Sequence, residues 1–217
     1  MVDTKQLKYE KALEYEIFVK EEYGFAMEVI QKANCIFDIW GHVWYFSEWC
    51  RGLNPSAMIY YFEPIKENYD KAVSRLCNSK NIELFNVWVA SKTWEWVLLY
   101  NREKTMQSSK FSSFLNSSWE EEKVKFIWLF DALKFTASKT IDLVKIDIEW
   151  MEFEVLDSLS LEEWNLISNL IIEIHLLNNE LEEEWKLLHQ KIKQIFKSVE
   201  IIPSWYTDKI FLVRAYN

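Results

Sequence analysis

The stretch FDIWGHVWYF, residues 37–46, decides the fold. With the two residues before it, it gives CIFDI (35–39), a short apolar run ending in an acid. That pattern predicts a buried strand running into a turn. The turn holds one glycine, Gly41, flanked by Trp40 and Trp44. A tight turn that faces a ligand has no room for side chains, because a Cβ occupies ligand volume or forbids a positive φ. Two indoles conflict with such a turn, and the composition offers a reason. The 217 residues include 12 Trp and only 3 Gly. Average usage of about 7% predicts about 15 Gly in such a chain. The Trp excess is close to the Gly deficit. The hypothesis that follows is that many of these Trp stand where the native protein has Gly. A code that reads UGA as glycine, translated with a table that reads it as tryptophan, has this result. UGG codons at Trp40 and Trp44 would refute it.

Beyond the turn, composition narrows the function. The chain is 50% hydrophobic and 27% charged, which suits a globular protein of one domain. No apolar run approaches the roughly 20 residues of a membrane span. The N-terminal MVDTKQLKYEKALEYE is charged throughout, unlike a secretory signal, so the expected location is cytoplasmic. Net charge is −9, and no basic stripe alternates with aromatics, which argues against a nucleic-acid partner. Cys35, Cys50 and Cys77 are odd in number and lack metal spacing, as expected of free thiols in a reducing compartment.

Residues 1–33 read as a helical extension with a break at Gly24, and 34–217 as a single domain. Strands are predicted at 35–39, 59–64, 82–90, 141–149 and 169–176, with helices at 43–50, 66–77, 151–159 and 179–196 between and after them. VEIIP (199–203) and KIFLVRAY (209–216) close the chain as a hairpin. WVLLY (96–100) and VKFI (124–127) offer extra strands, and the polar segment between them reads as a mobile loop. Mostly apolar strands alternating with helices predict a parallel sheet covered on both faces, with an antiparallel strand added by the hairpin. Ligands of such sheets bind beyond the carboxyl ends of the strands, where strand order reverses. The groups at those ends are Asp38 to Trp44, Glu63, Asn86 to Trp88, Asp147 to Trp150, and Glu173 to His175.

LVKIDIEWMEFEVL (143–156), with glycine at position 150, resembles the signature of the FkbM-type methyltransferases, a class I family dependent on S-adenosylmethionine (SAM). FDIxGHVxYF, YFEP, NVxVAS and IIEIH occur in the order that family shows, and the resemblance runs from about Cys35 to the C-terminus. It departs only where Trp40, Trp44, Trp88 and Trp150 replace glycine. It implies a Rossmann-like class I methyltransferase fold with a mostly parallel seven-stranded sheet, and SAM as cofactor. Asp38, Ile39, Trp40, Gly41, His42 and Trp44 would form the cofactor turn. Glu63, followed by Pro64, would accept hydrogen bonds from the ribose diol, and Asn86 and Val87 would lie at the adenine. The dinucleotide pattern GxGxxG does not fit, since Ile39 stands where its frame needs glycine.

Methyl transfer to a hydroxyl needs in-line positioning and a group to take the proton. By family position Asp147 is the first candidate base. Glu149, two residues on, leaves the same face of an extended strand; the pair can share a proton, bind a metal or orient the acceptor, and Glu149 can also pair with Lys145. His175, on the same face as Glu173, is a second base candidate. No metal is called for. The expected acceptor is a hydroxyl of a small molecule or glycan, with the segment around Gln107 to Ser118 as its lid. Two other readings stay open. One is a catalytically inactive relative acting as a binding module, favoured if Trp40 and Trp44 are authentic. The other is a nicotinamide-dependent oxidoreductase, in which IDIEWME has no role.

Overall fold

The protein is described here from a computed structural model, which covers residues 4–42, 44–101, 104–109, 119–148, 151–176, 179–204, 207 and 209–217. Strand β1 (Cys35–Ile39) is buried at every position. It lies between β2 (Met58–Phe62) and β8 (Leu143–Ile146), parallel to both. Burial on both faces is why these strands read as continuous apolar runs rather than alternating ones. Beyond β2 comes β3 (Ile82–Phe85), also parallel. Beyond β8 comes β9 (Asn169–His175), again parallel. The closing hairpin of β10 (Ser198–Pro203) and β11 (Ile210–Tyr216) follows, with β11 antiparallel to both neighbours. The order is β10-β11-β9-β8-β1-β2-β3, so strand order reverses at β1. This is the seven-stranded sheet that the sequence predicts.

The two-residue period of the strands sorts the core into two halves. Ile36, Ile59, Leu143, Ile171 and Leu212 face one side. They pack there with Phe46, Trp49 and Cys50 of α3 (Tyr45–Leu53) and with Ile30 of α2 (Met27–Lys32). Ile17, at the end of α1 (Thr4–Phe18), and Tyr23 complete this half, so the N-terminal helices belong to its core. Asn54 ties them down: its Nδ2 donates to the carbonyls of Ile30 and Ala33, both at 2.8 Å. Phe37, Tyr60, Val144, Leu170 and Val213 face the other side. Leu156 of α6 (Glu152–Asp157) and Ile192 of α8 (Asn179–Ile195) cover them. The remaining long helix, α4 (Lys66–Leu76), follows β2 as expected.

The middle of the chain departs from expectation. Residues 82–90 are two strands, not one. β3 stays in the main sheet, whereas β4 (Trp88–Ala90) joins a second sheet of order β4-β7-β5-β6. Its other strands are β5 (Trp94–Asn101), β6 (Lys104–Ser109) and β7 (Trp119–Trp128). Asn86 fixes the break by donating to the carbonyls of Glu63 (2.9 Å) and Pro64 (2.8 Å). The polar segment expected to be mobile thus supplies β6, and residues 110–118 lie outside the described ones. Two short helices were also not foreseen, α5 (Leu129–Leu133) and α7 (Leu161–Trp164). No helix among the described residues is long and apolar enough to cross a membrane.

β1 enters its turn through Gly41, whose N–H donates to the Phe62 carbonyl at 3.0 Å. A Cβ at Gly41 would fall 1.9 Å from the Tyr61 ring. Ring and backbone are both buried, so neither moves without disturbing β2. Gly41→Ala is expected to destabilise the fold by about 1–3 kcal/mol, the usual range for overpacking. Urea unfolding measures it, and a loss within about 0.5 kcal/mol would mean that the turn yields freely.

Candidate active site

The carboxyl ends of β1, β2, β8 and β9 meet at the reversal point. Parallel pairing sets Asp38 beside Lys145, and paired residues project from the same face. Lys145 is buried, with its Nζ 3.7 Å from Asp38 Oδ1 and 3.4 Å from Asp147 Oδ2. It also donates to the Trp40 carbonyl at 2.9 Å. Burial works against its charge, but Asp147, Asp38 and Glu173 outweigh that and hold its pKa above the ordinary lysine value. Asp38 accepts a 2.6 Å hydrogen bond from Ser47. Burial raises its pKa, against the pull of Lys145 and Ser47. Asp38 therefore points inward and braces the turn. Sequence reading offered pairing with Lys145 as one role of Glu149; Glu149 and Trp150 lie outside the described residues, and among those described Lys145 joins Asp38 and Asp147. The available signal was the two-residue spacing of Lys145 and Asp147 on one strand face.

Glu63 ends β2 fully buried, inside a cage of donors. Its Oε2 accepts from the His42 N–H at 2.9 Å, and its Oε1 from the Ile65 N–H at 2.9 Å and Asn68 Nδ2 at 3.3 Å. Burial pushes its carboxyl up to about 8 despite these bonds. Tyr61 closes the cage by donating to the His42 carbonyl at 2.6 Å. Burial in the turn also drives the His42 imidazole down to about 3, so it is neutral. Ile39 and Pro64 are buried beside these groups, and Val87 packs against the core at the end of β3.

The turn carries positive φ at Trp40 (62°), His42 (44°) and Trp44 (63°). For a residue with a side chain this left-handed backbone costs about 1–2 kcal/mol, and for a bulky one it is a true outlier. The Trp40 ring is buried and meets Trp88 edge-on, with centroids 4.8 Å apart. These two indoles fill the space outside the ends of β1 and β3, where the cofactor is expected. The chain as written therefore does not fit SAM at that place.

The side formed by β8 and β9 is different. Ligand atoms of Asp147, Glu173 and His175 lie within 4.8 Å of one another. His175 is buried, with its Nδ1 3.1 Å from Oε1 of the fully buried Glu152. That contact fixes the imidazole. Two carboxylates and an imidazole can take a proton from a hydroxyl or hold a divalent cation. Glu173 also lines a cleft of about 500 Å³ between the N-terminal segment and the closing hairpin. Glu16, Lys20, Glu21 and Glu22 form one wall, and Ile202, Pro203 and Phe211 the other. Burial, with repulsion from Glu16 and Asp147, pushes Glu22 up to about 7. Sequence reading missed the N-terminal wall because an amphipathic extension has no strand-end signature.

A family model described as the methyltransferase FkbM domain matches residues 32–199. Among solved structures, the chain is similar to methyltransferase FkbM from Methylobacillus flagellatus KT, with a TM-score of 0.56 at 11% identity over 85% of this chain and 44% of that one. It is similar to the SAM-dependent O-methyltransferase from Thermotoga maritima, with a TM-score of 0.54 at 10% identity over 92% and 66%. It is also similar to precorrin-6y C5,15-methyltransferase from Geobacter metallireducens GS-15, with a TM-score of 0.51 at 10% identity over 89% and 86%. The chain spans less than half the length of the Methylobacillus protein. At such identities the likeness is one of fold. A search of curated proteins finds no match.

Glu63 makes stability depend on pH. Its folded pKa of about 8 exceeds the ordinary 4.5. Between those values the folded protein keeps a proton that the unfolded chain has released. The contribution is full below 4.5 and is lost as pH rises through 8. From pH 5 to pH 8 the parent should lose on the order of 3 kcal/mol relative to Glu63→Gln. Urea unfolding across that range reads the difference, and parallel curves would mean that Glu63 is ionised throughout.

Proposed function

We propose that this chain, which belongs to the FkbM methyltransferase family, methylates a hydroxyl group of a small molecule or glycan with SAM as donor. The observation that carries the reading is the Asp147, Glu173 and His175 cluster beside the cleft, at the strand ends where such sheets bind ligands. A cleft of about 500 Å³ suits a small molecule or one or two sugar rings. Its carboxylates disfavour phosphorylated or carboxylated acceptors, and its apolar hairpin wall offers a surface for a ring face. Asp147 or His175 takes the hydroxyl proton, with Glu152 holding the imidazole in place. Lys145 holds Asp147 in place through their 3.4 Å contact. Buried free thiols at Cys35 and Cys50 agree with a reducing, cytoplasmic setting.

The contact of Trp40 with Trp88 favours a second reading for the chain as written, a non-binding relative whose cofactor cleft is closed. One titration separates the two. SAM is titrated calorimetrically into the chain as written and into a variant carrying Trp40→Gly, Trp44→Gly, Trp88→Gly and Trp150→Gly. Binding by the variant alone supports the methyltransferase reading. Folded proteins that both fail to bind remove the cofactor assignment. In the glycine background, Asp147→Asn should lower methyl transfer by about 10²–10⁴-fold, the range for losing a placed base. SAM affinity should stay unchanged, and equal losses of binding and turnover would move Asp147 out of the chemistry.

A further inference from the structure

We infer that the native protein carries glycine at positions 40, 44 and 88, and tryptophan at positions 49 and 185. The assignment stands on backbone geometry and packing; only its consequence, an open cofactor cleft, rests on the methyltransferase reading.

Five described residues other than glycine have positive φ: Glu21, Trp40, His42, Trp44 and Asn81. Asn and His are the types that enter this region most readily, whereas an indole is among the least suited. Two of the five positions are nonetheless Trp, and both lie in one five-residue turn. Trp44 caps α3 with φ 63° and ψ −5°, a glycine-type conformation, and its side chain makes no capping hydrogen bond. Its Nε1 is buried without a hydrogen-bond partner, as is that of Trp88. Buried indole N–H groups ordinarily find a partner; those of Trp128 and Trp164 lack one too, so this feature accompanies the backbone strain and does not by itself mark a glycine position. Trp88 has an extended backbone, and the evidence there is spatial. Its ring and that of Trp40 occupy one volume between the ends of β1 and β3. With glycine at 40, 44 and 88, the strain at positions 40 and 44 is relieved and the volume held by the two rings opens beside the turn.

Trp49 and Trp185 behave differently. Trp49 lies inside α3, and its ring meets Tyr23 and Phe46 at centroid distances of 6.5 and 6.4 Å in the core beneath α2. Trp185 lies inside α8, stacked on His189 at 4.7 Å and edge-on to Phe211 at 5.2 Å. Glycine at either place would leave a cavity and weaken a helix. The fold therefore separates Trp40 and Trp44, at left-handed positions, from Trp49 and Trp185, which the core uses; Trp88, which also stacks on Phe126 at 5.4 Å, is assigned by its contact with Trp40 alone.

Peptide mass spectrometry of the protein purified from its own organism tests this directly. Trypsin releases residues 33–51, ANCIFDIWGHVWYFSEWCR as written, which hold positions 40, 44 and 49 together. The expected fragment spectrum has glycine at 40 and 44 and tryptophan at 49. The peptide of residues 81–92 should have glycine at 88. Tryptophan at 40 and 44 overturns the inference. Glycine at 49 as well overturns the claim that packing separates the two sets. The glycine pattern, with no SAM binding in the calorimeter, keeps the assignment and removes the cofactor reading.

Discussion

The buried ammonium of Lys145 is the contact on which the rest of the site depends. A charge inside a sheet persists only with compensating partners. Here they come from three places at once: Asp38 on β1, Asp147 two residues on, and the Trp40 carbonyl at the head of the turn. Parallel register alone puts Asp38 beside Lys145. One cation thereby fixes the position of the turn after β1 relative to Asp147. Removing it would leave Asp38 buried and unpaired, a larger penalty than the lost attraction itself.

From that centre the site divides into two electrostatic regimes. On the β1–β2 side the acid Glu63 is caged by amide donors and held largely protonated at neutral pH. On the β8–β9 side Asp147 is partly exposed and shares its surroundings with Glu173 and His175. The first suits a rigid socket that recognises a ligand by fixed hydrogen bonds, since its geometry is set before anything binds. The second suits proton movement, since its groups are close and ionisable, and Glu173 among them lines a cleft. The N-terminal helices serve this second region: Tyr23 sits in the core, and Glu22 next to it reaches the cleft wall.

Much of this was legible because the parallel strands are buried on both faces. CIFDI and NLIIEIH carry continuous apolar runs, and acids or a histidine mark their ends, so the buried parallel strands and the ligand edge follow from pattern alone. The second sheet was legible only in part: WVLLY and VKFI marked β5 and β7, but β6 is polar in sequence, and β4 is continuous with β3 in one apolar run. The break at Asn86 was hidden as well: it rests on one amide reaching two carbonyls across 22 and 23 residues, which no local period encodes. The fold alone does not say what the acceptor is, since folds host many chemistries and the site decides among them.

The tryptophans of the first turn show how a local rule and the global structure can disagree. A natural sequence agrees with its fold at nearly every level, and breaches gather at functional positions. A breach by decay would be scattered, and would substitute various residues at positions of low cost. Here the same residue type stands at Trp40 and Trp44, two left-handed positions of one turn, and again at Trp88 across the intended cleft. Meanwhile Gly41, between them, is retained where Tyr61 leaves no room for a Cβ. Relaxed selection does not readily preserve the Glu63 cage, the Lys145 bracket and Gly41 while placing one residue type at both left-handed positions 40 and 44. A site that keeps its Glu63 cage and its Lys145 bracket, yet is obstructed by one residue type at left-handed positions, has the pattern expected of misread glycine codons rather than of scattered decay.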